Sequence, residues 1–145
     1  MVWDYCRHNG CVSQGEVMKG RKIFGGNVKG EALVSSEAIS FYGGVDPDTG
    51  KVIERGHPLE GRSMIGKVLV FPTGKGSTVG SYILYRLKKK GKAPLAIVNK
   101  ECETIIAVGV IISEIPCVDR IDTDNIREGE ILRVNADEGV VEVEG

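Results

Sequence analysis

Lys67-Val-Leu-Val-Phe-Pro72, Thr73-Gly-Lys-Gly76 and Ser77-Thr-Val-Gly-Ser-Tyr-Ile-Leu-Tyr-Arg-Leu-Lys-Lys-Lys90 follow one another without a gap and read as strand, glycine turn and helix. The first run is β-branched or aromatic at Val68, Val70 and Phe71, too short for a helix, and closed by Pro72, so a buried strand is expected. Val79, Ile83 and Leu87 then recur at i, i+4 and i+8, which lays an apolar stripe along a helix. Ser77 is the expected N-cap, since its hydroxyl can accept from a backbone N–H that the first turn leaves unpaired. At the other end Lys88, Lys89 and Lys90 meet the negative end of the helix dipole, Gly91 supplies the left-handed position, and Pro94 bars continuation.

Outward from this unit, Leu95-Ala-Ile-Val98 reads as a second buried strand, parallel to the first through a right-handed crossover. Its end at Asn99 to Glu101 is expected near the glycine turn. Residues 103–112 form a second helical segment, too apolar all round to be exposed. A short strand at 115–118, a polar turn region at 122–130 and a hairpin pairing 131–134 with 140–143 close the chain. On the N-terminal side, short strands are expected at 22–24, 31–34 and 51–54, with a loop at 43–50. The expected architecture is α/β, a central βαβαβ unit with a flanking β layer, in one domain over 18–145. Residues 1–17 show neither helical nor strand period and are expected to be a disordered extension or a start assigned upstream of the true one.

Composition excludes several roles. The chain has 145 residues, 41% apolar and 27% charged, with a net charge of −1, the make-up of a soluble globular domain without a basic face for nucleic acid. No apolar run approaches the about 20 residues of a membrane span, and the first residues lack a secretory core, so a cytoplasmic location is expected. Cys6, Cys11, Cys102 and Cys117 are scattered without Cys-x-x-Cys spacing, and no metal site made by this chain alone is expected.

The chemistry therefore rests on loops. Ser77, at the positive end of a helix and just past a strand's carboxyl end, occupies the usual ligand position of an open α/β unit. Gly74, Lys75, Gly76 and Thr78 surround it as candidate substrate-binding residues; the plainer reading makes Ser77 a cap and the glycines turn formers. Asp46, in Asp46-Pro-Asp48-Thr-Gly50, is a second-tier ligand candidate, although Asp is a routine turn residue. His57 is a second-tier acid or base, although a loop histidine ahead of proline is more often simply exposed. Gly61-Arg-Ser-Met-Ile-Gly-Lys67 has P-loop spacing, but Val68 replaces the required hydroxyl and a strand follows. Gly74, Gly76 and Gly80 likewise miss the dinucleotide spacing by one residue.

Gly43-Gly-Val-Asp-Pro-Asp-Thr-Gly50, Phe71-Pro-Thr-Gly-Lys-Gly-Ser-Thr-Val-Gly-Ser-Tyr82 and Ile115-Pro-Cys-Val-Asp119, in that order, resemble the small subunits of the aconitase X family from about Met18 onward. The resemblance implies a swivelling β/β/α domain, like the mobile last domain of aconitase, docked as a heterodimer on a large subunit that carries a [4Fe-4S] cluster. It implies dehydration of (R)-5-phosphomevalonate to trans-anhydromevalonate 5-phosphate in the archaeal mevalonate pathway, with Ser77 as the proton-accepting base. Where aconitases proper carry Ser-Arg after the glycines, this chain has Thr78 and Val79 in place of the arginine that binds a substrate carboxylate, so that carboxylate is expected to meet groups of the large subunit. Two other readings stay open: a family member acting on cis-3-hydroxyproline, and a module that holds phosphate or carboxylate without chemistry.

A serine base is demanding. A helix N-terminus supplies at most about 2 kcal/mol, roughly 1.5 pKa units, far short of what an alkoxide near neutrality requires. Lys75 adds to this only if it points inward, and the remainder must come from a dry site with further cationic groups. The isolated chain is therefore expected to be inactive.

Overall fold

The structure, a computed structural model, describes residues 17–75 and 78–144. Its strands are β1 (Val17–Lys19), β2 (Arg21–Phe24), β3 (Asn27–Val34), β4 (Lys67–Phe71), β5 (Ala96–Asn99), β6 (Cys117–Asp119), β7 (Ile131–Asn135) and β8 (Val140–Glu144). The two longer helices are α1 (Val79–Lys89) and α2 (Thr104–Ser113), beside short helical turns at Phe41–Gly44 and Thr123–Asn125. All eight strands form one sheet in the order β1-β8-β7-β3-β4-β5-β6-β2. Neighbouring strands from β3 to β6 are parallel, whereas β1, β8 and β7 pair antiparallel up to β3, and β2 pairs antiparallel with β6. Because Gly20 alone joins β1 to β2, which lie at opposite ends of that order, the sheet curls until its two edges meet. A Cβ at Gly20 would sit 2.1 Å from the Asp119 carbonyl oxygen, so the corner requires glycine. Val17, assigned from sequence to the extension, already pairs with Glu142; the rest of that assignment, residues 1–16, lies outside the described residues.

The parallel strands are apolar on both faces, as strands covered on both sides must be. Leu33, Leu69, Phe71 and Ile97 face the helices and pack with Ile83, Leu84, Leu87, Ile106 and Val110. Ala32, Val68, Val70 and Val98 face the other way, onto Leu132, Val134, Val141 and Val143. This β/β/α layering is the swivel architecture that the resemblance implied.

The stop signals after α1 act as expected. Lys92 N–H donates to the Leu87 carbonyl at 2.8 Å and Gly91 N–H to Lys88 at 3.1 Å, with Gly91 at φ 70°, a Schellman closure. Three expectations are corrected. The buried stripe of α1 is Gly80, Ile83, Leu84 and Leu87, while Val79 is exposed. Residues 51–54 are no strand: Lys51 and Val52 make only isolated bridges, to Ser63 and Val45. Finally, α2 is not wholly buried, since Val108, Ile111 and Ile112 are nearly half exposed.

Exposed ion pairs bind the layers at their rims. Lys67 pairs with Glu31, Lys90 with Asp48, and Lys29 and Arg133 with Glu144. Hydrogen bonding from Lys67, Lys90 and Lys29 respectively holds Glu31, Asp48 and Glu144 below the ordinary carboxylate range. Depressed folded values mean a contribution that is complete above the unfolded pKa, about 4, and is lost as pH falls through the folded values. The melting temperature should therefore hold steady above about pH 5 and fall only modestly below about pH 4, less so in high salt, since exposed pairs are weak. A thermal-denaturation series against pH at two salt concentrations checks this.

Candidate functional site

The end of β4 is tied down from several sides. Asn99 Nδ2 donates to the Phe71 carbonyl at 2.9 Å, and the N–H groups of Lys100 and Glu101 both reach the Pro72 carbonyl, at 3.0 and 3.1 Å. The end of β5 thus lies where the strand-helix-strand reading puts it, beside the glycine turn. The turn is further laid along a strap at residues 38–39: Ile39 N–H donates to the Thr73 carbonyl at 3.2 Å and Lys75 N–H to the Ile39 carbonyl at 3.0 Å. Gly74 is buried between this strap and α2, where an added Cβ would fall 2.4 Å from Ile106 Cγ1. Gly74 therefore serves close packing of its own chain, and the sequence reading of it as a substrate-binding glycine is not needed to explain it.

At the start of α1, Thr78 stands in the cap position with helical dihedrals (φ −57°, ψ −23°) and makes no side-chain cap bond. The carbonyl of Thr78 accepts from Ser81 N–H at 3.3 Å and from Ser81 Oγ at 3.0 Å. Ser77 and Gly76 lie outside the described residues, and with them the expectation of a Ser77 cap. Gly80, the second residue of α1, is buried, and a Cβ added there would meet Ile105 and Tyr42 at van der Waals distance.

Lys75 does not point inward unopposed. Its ammonium pairs with Glu54 Oε2 at 3.1 Å, with both side chains partly exposed, so a nearby carboxylate offsets whatever field it would add at the turn. Glu54 in turn backs Gly44, 3.3 Å from where a Cβ there would stand. No pattern in the sequence marked Glu54, since its role depends on a loop folding back onto the turn.

The second-tier candidates go elsewhere. Asp46 makes a turn: its Oδ1 accepts from Asp48 N–H at 2.8 Å and its carbonyl from Gly50 N–H at 2.9 Å. Asp48 pairs with Lys90, beyond the last residue of α1, which places this turn at the end of an eleven-residue helix opposite the glycine turn, about 16 Å along its axis. His57 is 5% exposed, not the solvated loop histidine that its position before Pro58 implied. Its Nδ1 accepts from Leu59 N–H at 3.0 Å, so Nε2 carries the proton and donates to the Ala38 carbonyl at 3.1 Å. With both nitrogens engaged by backbone, it has no free atom to act as acid or base on a substrate.

The third motif acts from below. Asp119, fully buried, accepts from Arg21 Nε at 3.0 Å and Nη2 at 2.7 Å and from Cys102 N–H at 3.0 Å, which fixes the chain just ahead of α2. Cys117 is buried, and its thiol is pushed well up by a hydrogen bond with Cys102 and by desolvation. A protonated, enclosed thiol is a poor ligand for an iron–sulfur cluster. Among the described residues no three His, Cys, Asp or Glu side chains come together as a metal site, and no helix is long and apolar enough to cross a membrane. The donors among the described residues do not fit a cluster.

Set beside known proteins, the chain matches the family described as the aconitase X swivel domain over residues 17–143. The phosphomevalonate dehydratase small subunit of Thermococcus sibiricus is 60% identical over 127 residues, 88% of this chain and 98% of that one. The protein of the same description from Methanosarcina acetivorans is 54% identical, over 87% of this chain and 90% of its own. Among solved structures, the crystal structure of Thermococcus kodakaraensis aconitase X in its holo-form superimposes with a TM-score of 0.89 at 53% identity, covering 90% of this chain and all of that one. A solution NMR structure of a UPF0107 protein superimposes with a TM-score of 0.80 at 47% identity, again over 90% of this chain.

Proposed function

The chain belongs to the aconitase X swivel-domain family, a small subunit of a heteromeric hydro-lyase that dehydrates phosphomevalonate, and from that premise we propose that it supplies the base of the reaction through Ser77. The substrate is (R)-5-phosphomevalonate and the product trans-anhydromevalonate 5-phosphate, formed in the archaeal mevalonate pathway and in the cytoplasm. Loss of water from a β-hydroxy acid removes a proton from the α-carbon and hydroxide from the β-carbon. Ser77 takes the proton; a [4Fe-4S] cluster held by the large subunit, joined to this chain as a heterodimer, would supply the Lewis acid for the hydroxide.

What carries the reading is the way the glycine turn is held. Strap, β5 end and α2 fix residues 73–75 on one side of Ser77, and α1 begins at Val79 on the other. Ser77 follows Lys75 by two residues in the sequence and stands just ahead of α1, whose first turn carries the positive end of the helix dipole. The field of that helix end is worth at most about 2 kcal/mol, and Lys75 is neutralised in part by Glu54. The remaining positive surroundings, and the group that meets the substrate's carboxylate where Thr78 and Val79 replace the arginine, come from the large subunit. Assaying the assembled, anaerobically prepared enzyme on (R)-5-phosphomevalonate and on cis-3-hydroxyproline tests the substrate: turnover of the first is expected, and turnover of the second alone overturns the assignment.

The outer face of α2 is where we place part of the docking surface. The helix contains no charged residue, yet Val108, Ile111 and Ile112 face outward, and its first turn is the one that packs on Gly74. A subunit completing the site at the glycine turn comes over this same helix, and exposed apolar faces of this kind mark protein contacts. Ile111→Glu should weaken assembly by at least about tenfold and shift the free chain's stability by no more than about 0.5 kcal/mol. Sedimentation of the mixed subunits and thermal denaturation of the variant measure both.

A further inference from the structure

We propose that His57 is a positioning residue for the glycine turn, an inference that rests on the reading of that turn as the reacting end of the chain. The ring sits in a loop whose own bonds are local: His57 N–H to the Glu54 carbonyl at 3.3 Å, and Glu60 N–H to the His57 carbonyl at 3.0 Å. Its side chain leaves that loop and reaches 19 residues back, to the carbonyl of Ala38. The next residue, Ile39, is the one that both donates to Thr73 and accepts from Lys75. The buried side chain of Ile39 anchors residues 38–39 in the core, and the bond from His57 adds a polar tie at the Ala38 carbonyl. The Ile39–Gly74 pairing is a single isolated bridge; just before it, Ser35 N–H donates to the Val70 carbonyl at 2.8 Å and the Ser35 hydroxyl bonds the backbone of Glu37.

His57 therefore joins a loop to the strap, and the strap carries the turn. The same loop reaches the turn a second time, through the ion pair between Glu54 and Lys75. Two links from one loop, one of them buried, converge on residues 73–75, the last described before Ser77. Leu59 N–H fixes the tautomer from the far side of the ring, so the donor aimed at Ala38 is always the protonated nitrogen. This is a task a histidine performs without touching substrate: it supplies an acceptor and a donor at opposite ends of a rigid plane.

The two nitrogens can be tested separately. In His57→Gln the amide nitrogen reaches the position of Nε2 and can still donate to Ala38, whereas in His57→Asn the amide oxygen replaces Nδ1 and the bond to Ala38 is lost. In the assembled enzyme, His57→Asn should lower kcat by about tenfold to a hundredfold, the scale on which misplacing a reacting group by about 1 Å acts, with KM and subunit affinity within about twofold. His57→Gln should recover most of that loss. Hydrogen exchange followed by mass spectrometry should show faster exchange, by about tenfold, in peptides containing Ile39 and Lys75 of His57→Asn, and none in peptides from β7 and β8. Unchanged exchange at Ile39 and Lys75 overturns the link, as does equal behaviour of the two variants. Faster exchange with unchanged kcat overturns the positioning role; if Ser77→Ala also leaves kcat unchanged, it is the reading of the turn that has failed.

Discussion

Replacing Ser77 by alanine should cut turnover of the assembled enzyme by roughly 10²–10⁴-fold, the usual contribution of a positioned general base, while the two subunits still associate. The expected size follows from what the chain lacks. Among the described residues around the turn, Lys75 and Glu54 are paired, Asp46 belongs to a turn at the far end of α1, and both nitrogens of His57 are engaged. None of these is placed to take over the proton. If Ser77 only capped α1, its loss would cost about 1 kcal/mol of stability and leave turnover alone. Measuring kcat, KM and melting temperature together separates the two cases, because the proposed role moves the first and the capping role only the last.

The second large effect is expected at Gly74. A methyl group there would stand 2.4 Å from Ile106 Cγ1 and 2.9 Å from Cδ1. Ile106 is 2% exposed, branched at Cβ and stiff in a helix, so it cannot turn aside, and the turn must lift from α2. Overpacking of this kind costs about 1–3 kcal/mol, and a displaced reacting group loses up to about a hundredfold in rate. Gly74→Ala should therefore lower both the melting temperature and kcat. Ile106→Ala added to it opens the space again and should restore much of kcat, although the core cavity lowers stability further. Recovery of turnover without recovery of stability is the signature of a geometric effect; a kcat for Gly74→Ala equal to wild type would show that the close packing under the turn is irrelevant to the reaction.

The parts of the fold legible beforehand are those in which local chemistry and long-range packing agree. The apolar run of β4, the Schellman closure at Gly91 and the hairpin of β7 and β8 each have their own short-range signal, and the structure keeps them. Where they disagree, periodicity misleads. The stripe through Val79 counts apolar side chains, but the helix turns its Gly80 edge inward, with Ile83, Leu84 and Leu87, and leaves Val79 exposed. Uniform hydrophobicity in α2 does not distinguish a helix enclosed by its own core from one with a face left for another subunit. The strap at residues 38–39 has no period at all, since its bonds to the glycine turn, the buried side chain of Ile39 and one distant imidazole place it. His57 looked exposed for the same reason: the partners that bury it belong to the fold, not to its neighbours in sequence. The position of the glycine turn, past the carboxyl end of β4 and ahead of α1, was readable, because it follows from chain direction alone.

The most direct test titrates this chain into its large subunit, anaerobically loaded with its metal centre, and follows dehydration of the phosphorylated hydroxy acid. Neither partner should turn over alone, and activity should rise with added chain until it saturates at one equivalent, with Ser77→Ala saturating the large subunit without producing activity. Turnover by this chain in isolation, or an unchanged rate when the Ser77→Ala chain is the only small subunit present, would contradict the account.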